Sequence, residues 1–265
     1  IVLGKLKPIF ENSSIKKTGQ NIKYDALILK RYGIDLNGIK FDTMIAAHLL
    51  NPSARSYKLD TLSLEYLNHE MIPIEELIGK GKNQITMDQV PMEKASKYAI
   101  EDADIVFQLT HLFNSKLKEQ ELFEYFSNIE IPLLPVLMEM ELNGTYVDAK
   151  FLQSMSNRLK EKLELLINDI KQLATIDFNI NSTQQLANVL FDILELPQIK
   201  KRSTAEHVLN KLKEFHDLPK LILEYRKFNK LKNTYVDVLP ELINKETGRI
   251  HSTFNQTIAA TGRLS

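Results

Sequence analysis

Apolar and small side chains recur at Met92, Ala95, Ala99, Val106, Leu109 and Phe113, the three-and-four spacing of a helix with one buried stripe that begins near Pro91. At about 100° per residue, Asp102 falls on that stripe and Tyr98 lies one turn earlier on nearly the same face, while Glu101 and Asp104 point elsewhere. A carboxylate and a phenol are therefore expected to face inward together. Burying a carboxylate is costly unless it is paired or binds a metal, so Asp102 is either a salt-bridge or cap partner or part of a site.

Before this helix the pattern alternates in type. Residues 2–11 read as the end of a helix, 14–19 as a short strand, and 22–32 as a helix with Tyr24, Leu27, Ile28 and Arg31 in step, ended by Gly33. Ile34, Leu36, Ile39 and Phe41 alternate around Asn37-Gly38, which predicts a strand over 34–41 with a turn or bulge. Asp42 is expected to N-cap a helix over 44–50 that Asn51-Pro52 stops, and Asp60-Thr61 opens another through Leu67. Residues 79–84 form a basic loop without the spacing of a P-loop. Its Lys80 and Lys82 either contact a phosphate backbone or are simply solvated.

From residue 122 onward the pattern is almost wholly helical. One helix is expected over 122–142, closed by Asn143-Gly144, and another over 151–173, where Leu152, Met155, Leu159, Leu163, Leu166, Ile170 and Leu173 form a seven-residue seam suited to an antiparallel pair. Ser182 starts a further helix, Ser203-Thr204-Ala205-Glu206 has capping-box spacing, and helices follow over 218–232 and 236–243. Arg226, Lys227, Lys230 and Lys232 crowd beside Tyr225, Phe228 and Tyr235. That mixture suits nucleic acid, and an amphipathic core helix gives the same string. Residues 249–258 have strand character. The change of class near residue 122 divides the chain into expected domains 1–122 and 123–265.

Composition narrows the chemistry. No apolar run reaches the ~18 residues of a membrane span and no signal-peptide pattern occurs, so the chain reads as soluble and cytoplasmic. The absence of cysteine excludes disulfides, cysteine nucleophiles and cysteine-bound zinc, and the six His lack HExxH-type spacing. A metal would need oxygen ligands, hence Mg²⁺ or Mn²⁺. The net charge is zero, yet residues 198–265 hold 13 Lys and Arg against 7 Asp and Glu, and residues 1–197 hold 21 against 27. An acidic front and a basic rear suit a metal site beside a polyanion-binding surface. The chain opens on Ile1 and stops at Ser265 just after a Thr-Gly-Arg turn, so it is expected to be a piece of a longer protein.

Two stretches set acidic residues beside Tyr or Asn in apolar surroundings: Gly19-Gln20-Asn21-Ile22-Lys23-Tyr24-Asp25, at a strand-to-helix transition, and Tyr98/Asp102. Carboxylates converging at the end of a sheet suit a two-metal phosphodiester site, with ions ~3.5–4 Å apart. A phenol close by can orient the attacking water. Two carboxylates are too few for such a site, and nothing upstream of Asp25 offers a DxE on a strand.

These stretches, with Phe41-Asp42-Thr43-Met44 and residues 79–84, resemble in order and spacing the 3′→5′ proofreading exonuclease of the bacterial family A DNA polymerases. The likeness continues through Asn143-Gly144, Tyr225-Arg226, Leu231-Lys232-Asn233-Thr234-Tyr235, Thr247-Gly248-Arg249-Ile250-His251 and residues 255–265, which end in Thr-Gly-Arg-Leu-Ser. The resemblance implies an RNase H-like α/β exonuclease portion, then a mainly α-helical thumb and the first palm strand. By it, Asp25 and Asp102 are metal-site carboxylates holding two Mg²⁺ or Mn²⁺ ions in the complete site, Tyr98 orients the water, and Asn21 lines the cleft. Lys80, Lys82, Lys227, Lys230, Lys232, Gln256 and Arg263 are implied DNA contacts.

The parent so implied is a monomer that binds single-stranded 3′ ends and primer-template DNA, uses dNTPs, and serves replication and repair with no membrane association. The chain alone is expected to bind DNA without catalysing, because the family's DxE and the polymerase catalytic motifs are not in it. Two competitors are an RNase D-like stand-alone 3′→5′ exonuclease and a non-catalytic DNA-binding module.

Overall fold

A computed structural model describes residues 2–265. The chain divides into two compact units. One comprises the residues up to Gly144 together with Ser252–Ser265, and the other comprises Thr145–His251. The change of class expected near residue 122 thus lies inside the first unit, whose helices run on to Gly144.

In the first unit, α1 (Val2–Glu11) leads to β1 (Lys17–Gly19), α2 (Ile22–Arg31), β2 (Ile39–Asp42) and α3 (Thr43–Leu50). The two strands are parallel, with Thr18 opposite Phe41 and Gly19 opposite Asp42. The strand expected over 34–41 forms only from Ile39. Gly38 sits at φ 78° so close to the neighbouring backbone that a Cβ there would lie 2.6 Å from the Ile15 carbonyl, and the chain turns at 37–38 before the Gly38 carbonyl accepts the Lys17 N–H at 3.0 Å. On α2 the buried side chains are Ile22, Lys23 and Ala26, and not the expected set: Tyr24 and Arg31 are exposed.

Next come α4 (Leu59–Leu67), α5 (Ile74–Ile78) and the long α6 (Met92–Glu119). The apolar stripe of α6 is buried only in its later part, at Ile105, Val106, Leu109, Phe113 and Leu117, where α3, α4 and β1 pack on it. Met92 is 81% and Ile100 68% exposed. The expectation of a fully inward Tyr98/Asp102 face is corrected accordingly: both are half-buried. The helix expected over 122–142 is three pieces: α7 (Phe123–Tyr125), a π-helical turn (Phe126–Glu130) and α8 (Ile131–Asn143). Pro132 and Pro135 have no N–H for the preceding turn, and the widened turn seats fully buried Phe126 against Phe41 with ring centroids 4.7 Å apart. Gly144, at φ 61° and ψ 176°, ends α8 in a conformation essentially open to glycine alone.

The second unit holds β3 (Thr145–Tyr146), α9 (Ala149–Ala174), α10 (Thr183–Asn188), α11 (Glu206–Leu212), α12 (Leu218–Lys230) and β4 (Arg249–Ile250). The seam of α9 buries Leu159, Leu163, Leu166 and Ile170, and its partner is α12 rather than the helix before it in sequence. The capping box expected at Ser203 does not form. The helix starts at Glu206 with Ala205 as its cap residue, and the Ser203 hydroxyl accepts the Ala205 N–H at 3.3 Å instead of the Glu206 N–H. The helix expected over 236–243 is a 3₁₀ turn, Leu239–Leu242, following a π-helical turn, Leu231–Val236. β3 and β4 pair antiparallel, and the strand expected over 249–258 stops at Ile250.

Candidate functional site

The first candidate stretch is built around Asp42. At the end of β2 and 1% exposed, its carboxylate accepts the Met44 and Ile45 N–H at 2.9 and 3.0 Å, which caps α3 as expected. It also accepts the Ile22 N–H at 2.7 Å and the Asn21 N–H, so one carboxylate closes the N-termini of both α2 and α3. Burial pushes the Asp42 carboxyl up to about 6, and the four backbone donors oppose that rise. Asn21 takes the left-handed conformation, φ 54°, that turns the chain out of β1 into α2. Gly19 allows the close approach: a Cβ there would sit 2.9 Å from the Ile22 Cβ.

Asp25 thus stands in the first turn of a helix whose start is fixed from two sides. It is at the surface beside a groove of about 530 Å³ that Thr18, Ile22, Tyr24 and Leu36 help to line. Surrounding protein displaces water from its carboxyl and raises its pKa. α6 reaches the same strand from elsewhere: Thr110 shares a 2.6 Å hydrogen bond with Thr18 of β1. Two turns ahead of Thr110, Asp102 is half-buried, with its carboxyl raised by burial and then by Glu101. The Tyr98 hydroxyl is raised by burial and by the carboxylates of Asp102, Asp60, Glu101 and Glu75, so this end of α6 is an acidic neighbourhood.

Among the described residues neither Asp25 nor Asp102 has an ion-pair or hydrogen-bond partner, which sets aside the salt-bridge or cap reading of Asp102. Carboxylates without a cationic side chain beside them are the donor type a hard divalent cation takes. No group of three His, Asp or Glu side chains that could hold a metal occurs among the described residues. Glu101, which the spacing set aside, anchors α6 by accepting from Ile72 N at 2.8 Å and bonding His69 at 2.9 Å.

The remaining candidates separate into free and engaged groups. Lys80 and Lys82 are exposed in the loop after α5, and Lys227 and Lys230 are exposed on α12. Lys232 is tied to Asp237 at 2.6 Å, and Ser156 donates to the same carboxylate at 2.7 Å. Gln256 is engaged by Glu130, whose carboxylate accepts its amide at 2.6 Å. Arg263 is exposed on a loop that Asn255 and Ser265 close by exchanging backbone hydrogen bonds of 2.8 and 3.0 Å. Sequence reasoning missed Lys23 and Glu141, a buried ion pair. The only sequence hint was a lysine on what became the inward face of α2.

Residues 2–118 match the family model for a 3′-5′ exonuclease, and residues 149–265 match that for DNA polymerase family A. Together they define the class: a segment that matches the exonuclease family stands ahead of one that matches the family A polymerases. The chain belongs to the family A DNA polymerases.

Over its whole length it is 43% identical to DNA polymerase I of Pseudomonas aeruginosa and 41% identical to that of Borreliella burgdorferi, spanning 30% and 29% of those proteins. A solved structure of the POL domain of Pol1 from M. smegmatis, in complex with DNA primer-template and dNTP, is similar with a TM-score of 0.85 at 30% identity. The match covers 99% of this chain and 43% of that one. The polymerase match over the second half does not favour a stand-alone RNase D-like enzyme. Among the described residues no helix is long and apolar enough to cross a membrane.

Proposed function

We propose that this chain serves template-directed DNA synthesis with 3′→5′ excision of mispaired ends, as part of a polypeptide of its relatives' length. The observation that carries the excision half is that Asp25 and Asp102 are both partnerless carboxylates, one on the helix that follows β1 and the other on the helix that Thr110 bonds to β1. In this reading the first unit is an RNase H-like exonuclease portion, and Asp25 and Asp102 would hold Mg²⁺ or Mn²⁺. Once bound, a pair of such ions supplies an activated water and charge stabilisation at the leaving oxygen. Tyr98 orients the water through its hydroxyl, and Asn21 lines the cleft that takes the single-stranded 3′ end. Lys227 and Lys230 neutralise backbone phosphates of the primer-template duplex, Arg263 and Gln256 act near the primer end, and Lys80 and Lys82 contact a DNA phosphate backbone. The working state is a monomer in the bacterial cytosol that draws on dNTPs.

The test uses two proteins. With Mg²⁺ and a single-stranded DNA, this chain should show no appreciable excision. In a polypeptide of the relatives' length, Asp25→Ala and Asp102→Ala should each lower excision by about a thousandfold or more while primer extension persists. Robust excision by the chain alone, or excision indifferent to Asp102→Ala in the longer protein, would sink the assignment.

A further inference from the structure

The closing segment Ser252–Ser265 belongs to the same compact unit as α2, and a buried ion pair joins them. Lys23 of α2 and Glu141 of α8 are bonded to each other, with both side chains 8% exposed. The Lys23 ammonium also donates to the Phe254 carbonyl, and the Phe254 N–H donates to the same Glu141 oxygen at 2.8 Å. Both backbone groups of one residue are therefore held by the two charges. Two residues on, Gln256 gives its amide to the Glu130 carboxylate at 2.6 Å and to the Glu130 carbonyl at 3.2 Å.

A buried ion pair persists only when further hydrogen bonds satisfy its remaining atoms. Phe254 supplies such bonds here, so the pair and the docked segment depend on one another. Lys23 also lies in the first turn of α2, between Ile22, which Asp42 holds, and Asp25. The Lys23 side chain is only 8% exposed, so its stem is held by packing and a displaced ammonium has little room to move without the turn that carries it.

We propose that Lys23 is a positioning residue that couples the docking of residues 252–265 to the placement of Asp25. The segment that matches the polymerase family thereby sets the geometry of a carboxylate in the part that matches the exonuclease. The functional meaning rests on the reading of Asp25 as an exonuclease carboxylate. The coupling itself does not.

Hydrogen exchange followed by mass spectrometry on the whole chain tests it. Phe254→Pro removes the N–H that Glu141 accepts and leaves α2 unaltered. Amides of residues 22–26 should then exchange about tenfold faster while those of Leu109 and Phe113 in α6 stay slow. If the Pro variant also quickens α6, Glu141→Gln replaces it under the same criterion. Lys23→Arg, which keeps the positive charge and N–H donors for Glu141 and Phe254, should leave exchange in α2 slow where Lys23→Met does not. Acceleration confined to 252–265, or equal exchange in the Arg and Met variants, overturns the coupling. In a polypeptide of the relatives' length, Phe254→Pro should lower the kcat of excision severalfold at unchanged KM. An equal effect on KM overturns the positioning role, whereas no excision by the unmutated protein overturns the exonuclease reading and leaves the exchange result standing.

Discussion

The carboxylate of Asp42 accepts the backbone N–H of Ile22 at 2.7 Å across twenty positions of sequence, while its other oxygen caps the helix that Asp42 itself begins. One acidic side chain therefore fixes where two helices start, and the first of them carries Asp25. Asp42→Ala should cost roughly 2–4 kcal/mol in denaturant unfolding, since it leaves buried N–H groups of both helices without an acceptor. A loss under about 0.5 kcal/mol would show that the double cap matters little.

The same residue predicts a pH dependence. Its folded pKa, about 6, lies above the ordinary 3.8, so the folded state holds the proton more tightly than the unfolded chain. The stabilisation from this group is complete below the ordinary value and is lost as pH rises through about 6, on the order of 3 kcal/mol in all. Asp42→Asn cannot titrate there. Unfolding measured between about pH 3.5 and pH 7 should show a slope in the parent chain that is missing in the Asn variant, and equal slopes would refute the assignment.

The Lys23–Glu141 pair gives a third expectation. Lys23→Met strands a buried carboxylate and should destabilise the chain by about 3–5 kcal/mol, whereas Lys23→Met with Glu141→Leu should recover much of that loss. Chemical denaturation of the single and double variants gives the comparison. Additive losses would mean that the two side chains do not act as a pair.

Tyr98 is half-buried among carboxylates, and removal of its hydroxyl should affect chemistry more than binding. In a protein of the relatives' length, Tyr98→Phe should reduce the kcat of excision by roughly 10–100-fold with little change in KM. Unchanged kcat would remove Tyr98 from the site.

On the second unit, the cations divide by what already holds them. Lys227→Ala and Lys230→Ala should each lower the slope of log affinity against log salt for duplex DNA by about 0.9. Lys232→Ala, whose ammonium is bound to Asp237, should lower it less, and Arg226→Ala should lower thermal stability through its lost bond to Thr204. Identical salt slopes for all four variants would contradict this division.

Local signals in the sequence determined much of the chain. Gly33 and Gly144 end helices because few other residues take their backbone angles, Asp42 and Ser182 begin helices because their oxygens accept first-turn N–H groups, and the periodicity of 151–173 fixed α9. Motif order sufficed for the family, since it needs no contact map. Tertiary packing alone decided which face of α2 turns inward, because a buried lysine is legible only once Glu141, 118 positions away, and Phe254, 231 positions away, stand beside it. It likewise limited the burial of the α6 stripe to the turns that α3, α4 and β1 cover, which leaves Tyr98 and Asp102 half in solvent. Periodicity marks the apolar face of a helix, but the elements that dock on it determine how far along its length that face is buried.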